Sequence, residues 1–259
     1  MGSLLVAGTT SDAGKSIVTT GLCRAFARRG IKVAPFKAQN MSNNSMVCTG
    51  PDGAGAEIGR AQWIQALAAR AIPEAAMNPV LLKPGGDRQS HVVVMGQPAG
   101  EISSAEFIGG RTHLAAAAHE AYDDLASRFD LVIAEGAGSP TEINLRADDY
   151  VNMGLARHAD MPTVVVGDID RGGVFAAMYG TVALLSPEDQ RLVAGFVINK
   201  FRGDETLLKP GLDQIEELTG RRVFGTLPWS PNLWLDSEDA LDLEGRRADD
   251  RTGPALRVV

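Results

Sequence analysis

Cysteine is nearly missing from the 259 residues: only Cys23 and Cys48 occur, too few for a disulfide framework and without the CxxC spacing of a zinc or redox site. Such usage points to a reducing cytoplasm. Long apolar runs are missing as well. None approaches the roughly 20 residues that a bilayer span needs, and the first residues carry neither the basic start nor the apolar core of a signal peptide. A basic excess is also lacking, since 25 Lys+Arg stand against 32 Asp+Glu for a formal charge of -7. That balance disfavours a general nucleic-acid or anionic-membrane surface, yet it leaves room for a local basic pocket. The four histidines, His91, His113, His119 and His158, show no HExxH or paired metal spacing and carry no catalytic assignment. The expectation is a cytoplasmic chain with no nucleic-acid and no membrane partner. The oligomeric state stays open, a homo-oligomer included.

What is present is a repeating alternation. Strand-length apolar runs at Leu4–Ala7, Lys32–Phe36, His91–Met95, Leu131–Ala134, Thr163–Val166, Ala194–Ile198 and Val223–Thr226 are separated by helix-like stretches at Ser16–Arg29, Glu57–Arg70, Ala105–Ser127, Gly173–Leu185 and Leu207–Leu218. Gly30 and Gly220 stand where helix stops belong. This pattern predicts an α/β fold, a mostly parallel sheet with helices on both faces. Gln39–Gly55, rich in Asn, Ser, Gly, Pro and Asp without periodicity, is expected to be a functional loop. From residue 236 the sequence turns charged and unpatterned before Ala255-Leu-Arg-Val-Val259, so residues 1–235 are expected to form one domain and 236–259 a linker plus the first strand of another.

The strongest signal is Gly8-Thr-Thr-Ser-Asp-Ala-Gly14-Lys15-Ser16, placed between a strand and a helix as a phosphate-binding P-loop requires. Glycines let successive N–H groups face phosphate oxygens, Lys15 neutralises charge, and the Ser16 hydroxyl can ligate Mg²⁺. Thr10, Asp12, Ala13, Gly14, Lys15, Ser16 and Ile17 are the candidate nucleotide contacts. Five residues separate Gly8 from Gly14, where the general pattern has four. Asp130-Leu-Val-Ile-Ala-Glu135-Gly-Ala-Gly138 has the form of a Walker B strand, so Glu135 is expected to join Ser16 as a Mg²⁺ ligand.

The longer P-loop resembles that of dethiobiotin synthetase and the corrin-ring amide synthases, whereas partitioning and septum-positioning ATPases carry a lysine where Thr9 stands. Further segments, Pro35-Phe-Lys37-Ala-Gln-Asn-Met-Ser-Asn-Asn44, Glu57-Ile-Gly-Arg60-Ala-Gln62, Asn78-Pro-Val-Leu-Leu-Lys83-Pro, Glu142-Ile-Asn-Leu145, Asp168-Ile-Asp170-Arg171-Gly-Gly173 and Phe196-Val-Ile-Asn199-Lys200-Phe-Arg202-Gly203, resemble the N-terminal synthetase domain of the cobyric acid synthase family. The resemblance implies ATP- and Mg²⁺-dependent amidation of the b, d, e and g carboxylates of adenosylcobyrinic acid a,c-diamide through acyl phosphates. The corrinoid is then the substrate, and ammonia comes from a C-terminal glutaminase domain that this sequence does not contain. Neither Cys23 nor Cys48 has the setting of a glutaminase nucleophile.

By the same resemblance Lys37 lies near the phosphates, Glu57 is an additional acidic Mg²⁺ ligand, Asp149 belongs to the substrate site and Asn199 bonds adenine. Lys15, Lys37 and Asp149 form the expected catalytic set. Gln39, Asn40, Ser42, Asn43 and Asn44 offer amides and hydroxyls to carboxylate and carboxamide edges of the corrin, and Asp168, Asp170 and Arg171 follow a strand at the same sheet edge. Plainer readings stand beside these: a first-turn helix carboxylate for Glu57, a helix cap for Asp149, a turn cluster for Gln39–Asn44 and a self-closing charged turn for Asp168–Arg171. Asn199-Lys-Phe-Arg-Gly-Asp204 has the wrong spacing for a guanine-reading NKxD motif, which favours ATP. The alternatives are another carboxylate-activating ligase, of dethiobiotin synthetase or cobyrinic acid a,c-diamide synthase type, and a nucleotide-switch ATPase.

Overall fold

In the computed structural model residues 2–85, 89–103, 112–231 and 233 are described. The expected linker and strand over 236–259 and the expected helical residues 105–111 lie outside them. The centre is a six-stranded sheet of β1 (Gly2–Gly8), β2 (Val33–Phe36), β9 (Leu131–Glu135), β10 (Thr163–Asp168), β11 (Val193–Phe201) and β12 (Arg222–Pro228), ordered β12-β11-β10-β1-β9-β2 and parallel throughout. Continuous apolar runs make this possible, because every inner strand is covered on both faces. Successive β1 side chains show it: Leu5 and Ala7 join a core with Phe36, Val132 and Val165, while Val6 points the other way to Val18, Cys23, Ile133 and Val166. Pro35, which has no N–H to give, is tolerated because β2 is an edge strand.

The helices are α1 (Lys15–Arg28), α2 (Arg60–Ala68), α3 (Thr112–Arg128), α4 (Met153–His158), α5 (Val174–Leu184), α6 (Pro187–Gln190) and α7 (Glu205–Thr219). Gly30 and Gly220 take the left-handed conformation just past α1 and α7, as the sequence pattern predicts. The strand order reverses around β1, since its neighbours are β9 and β10. The carboxyl ends of β1, β9, β10 and β11 therefore open a crevice, the place where open α/β sheets bind ligands.

The structure corrects three expectations. The strand at His91–Met95 is not part of the main sheet. It is β7 (Gln89–Val94), antiparallel to both β6 (Val80–Pro84) and β8 (Gln97–Ser103) in a second sheet that also holds β3 (Gln39–Met41) and is ordered β3-β6-β7-β8. The β7–β8 turn has Met95 at φ 49° and Gly96 at φ 78°, the positive pair of a type I′ hairpin, which a Met-Gly dipeptide does not advertise. Gln39–Gly55 is not a long loop, since it holds β3 (Gln39–Met41) and β4 (Ser45–Thr49), the latter paired with β5 (Gly55–Gly59). The helix expected from Glu57 begins only at Arg60, because Ser45–Thr49 captures Gly55–Gly59 as an antiparallel partner. Glu57 is thus a strand residue and not a first-turn helix carboxylate.

Candidate active site

The loop between β1 and α1 wraps back over its own lysine. Lys15 Nζ donates to Thr10 O at 3.0 Å and to Gly138 O at 2.9 Å, so the ammonium lies between the P-loop and the turn after β9. Asp12 at φ 57° and Gly14 at φ 99° both have positive φ. From β11 come two supports. Asn199 Nδ2 donates to Ala13 O at 2.9 Å, and Lys200 Nζ donates to Asp12 O at 2.8 Å and to Asp168 Oδ2 at 2.7 Å. The Asn199 amide nitrogen thus braces the backbone of the phosphate loop.

Behind the loop lies Glu135, at the end of β9 and in register with Val6 of β1. Its Oε1 accepts from Ser16 Oγ at 2.8 Å and from Lys37 Nζ at 3.0 Å, and its Oε2 accepts from Gln65 Nε2 at 2.6 Å. Lys37 and Glu135 are 1% and 0% exposed, so Lys37 is not a surface lysine at a strand end. Burial by itself would raise the Glu135 pKa, but the Lys37 charge and the donors from Gln65, Ser16 and Lys37 outweigh it and hold the carboxyl below the usual glutamate range. Glu135 is therefore an anion ready for a cation. Ser16 Oγ and Glu135 supply hard oxygen donors of the kind Mg²⁺ takes, so the residues present fit that ion.

The other expected residues divide. Glu57 shares Oε1 with Ser45 Oγ and Lys83 Nζ, and although burial alone would raise its pKa, these partners hold it below normal. That oxygen is occupied by an ammonium from β6. The Gln39–Asn44 polar run is mostly turned inward: Gln39, Asn40 and Ser42 are buried. Tyr150 OH donates to Gln39 Oε1 at 2.6 Å, Asn40 Nδ2 donates to Gln62 Oε1 at 3.1 Å, and Ser42 Oγ accepts from Asn44 N at 3.0 Å. Asn43 is exposed and donates to Pro84 O at 3.3 Å. Asp168 pairs with Lys200, lies 3.7 Å from Arg171 Nε and accepts from Asp170 N at 2.9 Å, while Asp170 accepts from Arg202 Nε at 3.0 Å. This is a charged turn closed largely on itself, beside the P-loop.

Asp149 accepts from Val151 N and Asn152 N at 2.8 Å each and from Gly154 N at 3.1 Å, ahead of α4. The carboxylate thus serves the backbone as a cap does. Asp149→Ala should lower stability by about 1–2 kcal/mol in urea unfolding. A variant of unchanged stability but lost activity would move Asp149 from this role to the substrate.

Residues not anticipated include Gln65, whose amide closes the Glu135 cluster. Asn78 is another: Nδ2 donates to Lys37 O at 3.1 Å and Oδ1 accepts from Gly59 N at 3.2 Å. Asn152 Nδ2 donates to Ala137 O at 2.7 Å and so holds the turn after Glu135. The available signal was periodicity: Gln62 and Gln65 lie three apart, on one helical face, and both are fully buried where apolar residues are expected.

A glycine-rich turn from a central parallel strand into a helix, with its lysine folded back and an acid on the adjacent strand, defines a P-loop nucleotide-binding domain. The chain belongs to the CobQ/CobB/MinD/ParA nucleotide binding domain family, whose model matches residues 4–242. It is 77% identical over 259 residues to "Cobyric acid synthase" of Mycolicibacterium gilvum (strain PYR-GCK), covering 100% of this chain and 53% of that protein. It is 75% identical over 259 residues to "Cobyric acid synthase" of Mycobacterium ulcerans (strain Agy99), again covering 100% of this chain and 53% of that protein. The chain spans about half the length of these relatives. Chloroplast FtsY from Physcomitrella patens shares the fold alone, with a TM-score of 0.50 and 13% identity over 88% of this chain and 62% of that one. Among the described residues, no helix is long and apolar enough to cross a membrane.

Proposed function

We propose that the chain is the carboxylate-activating half of a cobyric acid synthase. It uses ATP to phosphorylate the b, d, e and g carboxylates of adenosylcobyrinic acid a,c-diamide, and ammonia then displaces phosphate to give the amides. The observation that carries this reading is the buried Lys37–Glu135 pair behind the P-loop, supported by the 75–77% identity to cobyric acid synthases. Phosphate binding alone requires only the P-loop, so a second ammonium 3.0 Å from the Walker B carboxylate suits the transfer of a phosphoryl group to an anionic acceptor.

In the first step a substrate carboxylate oxygen attacks the γ-phosphorus. The bond to the β–γ bridging oxygen breaks, and ADP leaves from an acyl phosphate. Lys15 and Lys37 hold the negative charge of the transferring group while Asn199 and Lys200 keep the loop in shape. Mg²⁺, when bound by Ser16 and Glu135, supplies further positive charge beside the phosphate oxygens. In the second step ammonia adds to the acyl carbon, and phosphate leaves with a proton. Of the residues that the resemblance assigns to the corrinoid, Asn43, Asp170 and Arg171 are exposed and would meet the substrate, while Gln39, Asn40, Ser42 and Asp168 stand behind them, tied to protein partners.

On this reading ammonia is furnished by a separate glutaminase domain. Neither cysteine here suits that task. Burial pushes the Cys23 thiol up to about 12, with Glu135 adding to the effect, and burial followed by Glu74 and Glu57 pushes Cys48 up to about 11.

With ATP, Mg²⁺ and ammonium, the chain should convert the a,c-diamide to products in which successive OH groups become NH₂, read by mass spectrometry. Glutamine in place of ammonium should give none unless a glutaminase is added. ATP bound with no amidated product would refute the reading. ATP turnover stimulated by another macromolecule and indifferent to corrinoids would install the nucleotide switch instead.

A further inference from the structure

Gln65 has a divided side chain. Its Nε2 donates to Glu135 Oε2 at 2.6 Å, whereas its Oε1 is buried and has no hydrogen-bond partner among the described residues. The residue is 0% exposed. A buried carbonyl oxygen without a donor costs free energy, and the carboxylate contact fixes the orientation of the amide because only the NH₂ end can face an anion. The orphan oxygen is the other end of an amide bonded to Glu135, the carboxylate that also bonds Ser16, and a hydrated divalent cation held by Glu135 and Ser16 would bring water O–H donors to it. Mg²⁺ keeps several of its waters in protein sites, and groups that hold the ligands and those waters commonly control metal affinity.

We propose that Gln65 is the positioning residue of the cation site: its amide nitrogen fixes the Glu135 carboxylate, and its carbonyl oxygen accepts from water in the hydration shell of the bound divalent ion. This inference rests on the proposed reading of the P-loop as a metal–nucleotide site. A core glutamine that merely fills space would affect packing and nothing specific to the cation.

The test is Mn²⁺ binding, followed by electron paramagnetic resonance, to the whole chain saturated with a non-hydrolysable ATP analogue, together with binding of that analogue in EDTA. Gln65→Met conserves length and volume but removes both polar atoms. It should weaken Mn²⁺ roughly tenfold or more, with analogue affinity in EDTA within about twofold of the unmodified chain. Gln65→Asn keeps an amide but draws it back by one methylene; it should show the same defect and serves if the methionine variant fails to fold. Mn²⁺ affinity unchanged in whichever variant folds would overturn the proposal, and so would an equal loss of analogue binding in EDTA. Failure of the unmodified chain to bind Mn²⁺ with the analogue would instead sink the metal–nucleotide reading beneath it.

Discussion

Lys37→Met should, on the proposed reading, lower the rate of amidation by about 10²–10³-fold, the scale on which removal of one preorganised charge-stabilising group acts, while the P-loop still binds nucleotide. The lysine lies inside the cluster, and Glu135 Oε1 is shared between its ammonium at 3.0 Å and Ser16 Oγ at 2.8 Å. Two consequences follow from taking it away. In the proposed mechanism the transferring phosphoryl group loses one of its cations, and Glu135 becomes a buried carboxylate without the Lys37 ammonium. Breaking a buried pair from one side costs about 3–5 kcal/mol, reduced here because Ser16 and Gln65 still donate.

The pH dependence separates the two effects. In the unmodified chain the Glu135 pKa is depressed, so its stabilisation is present above the unfolded glutamate pKa and is lost as pH falls through the folded value. In Lys37→Met burial dominates and the pKa rises, so the destabilisation should shrink as pH falls toward about 4, near the unperturbed glutamate value. Lys37→Met/Glu135→Gln should recover stability without recovering activity. Retention of more than a tenth of the amidation rate by Lys37→Met, assayed by corrinoid mass and ADP release, would remove Lys37 from the reaction.

Gly14→Ala should weaken nucleotide binding by two orders of magnitude or more, about 3 kcal/mol. Gly14 has φ 99°, a region an alanine enters only with strain, and a Cβ there would lie 2.0 Å from Asn199 Nδ2. The side chain it would displace is the one that holds Ala13 O, so the loop cannot yield without losing its brace. Gly30→Ala provides the contrast. Its φ of 82° is also left-handed, but nothing lies within 4 Å of the added carbon, so only strain of about 1 kcal/mol is expected, with nucleotide affinity intact. Gly14→Ala/Asn199→Ala removes the collision and leaves the strain, and partial recovery of calorimetric affinity should follow. Gly14→Ala binding nucleotide like the unmodified chain would show that the loop does not hold phosphate in this shape.

The P-loop, the Walker B strand and the parallel sheet were all legible in the sequence, because each depends on local pattern. A strand buried on both faces must be a continuous apolar run, and a backbone that wraps phosphate must have glycine at fixed offsets. The second sheet was not legible. Val92–Val94 reads like any buried strand, and only its turn at Met95-Gly96 and its partners on either side assign it to a hairpin. The Gln39–Asn44 run reads as part of a functional loop or as a plain turn cluster. Its inward residues are satisfied by Tyr150 and Gln62, 111 and 22 positions away in the chain.

The sequence by itself determined the fold class, the phosphate loop with its lysine and serine, and the strand that ends in an acid and a glycine turn. These follow from spacing within a few residues of one another. Only the tertiary structure decided that Lys37 pairs with Glu135 and Glu57 with Lys83, that Asp149 caps backbone, that Asn199 braces the P-loop and that Gln65 completes the carboxylate's shell. A lysine, a glutamate or an amide has the same appearance in sequence whether it meets water or a partner. Which of these it meets depends on burial and on residues brought close from distant parts of the chain, and those set both the charge state and the direction of every donor in the site.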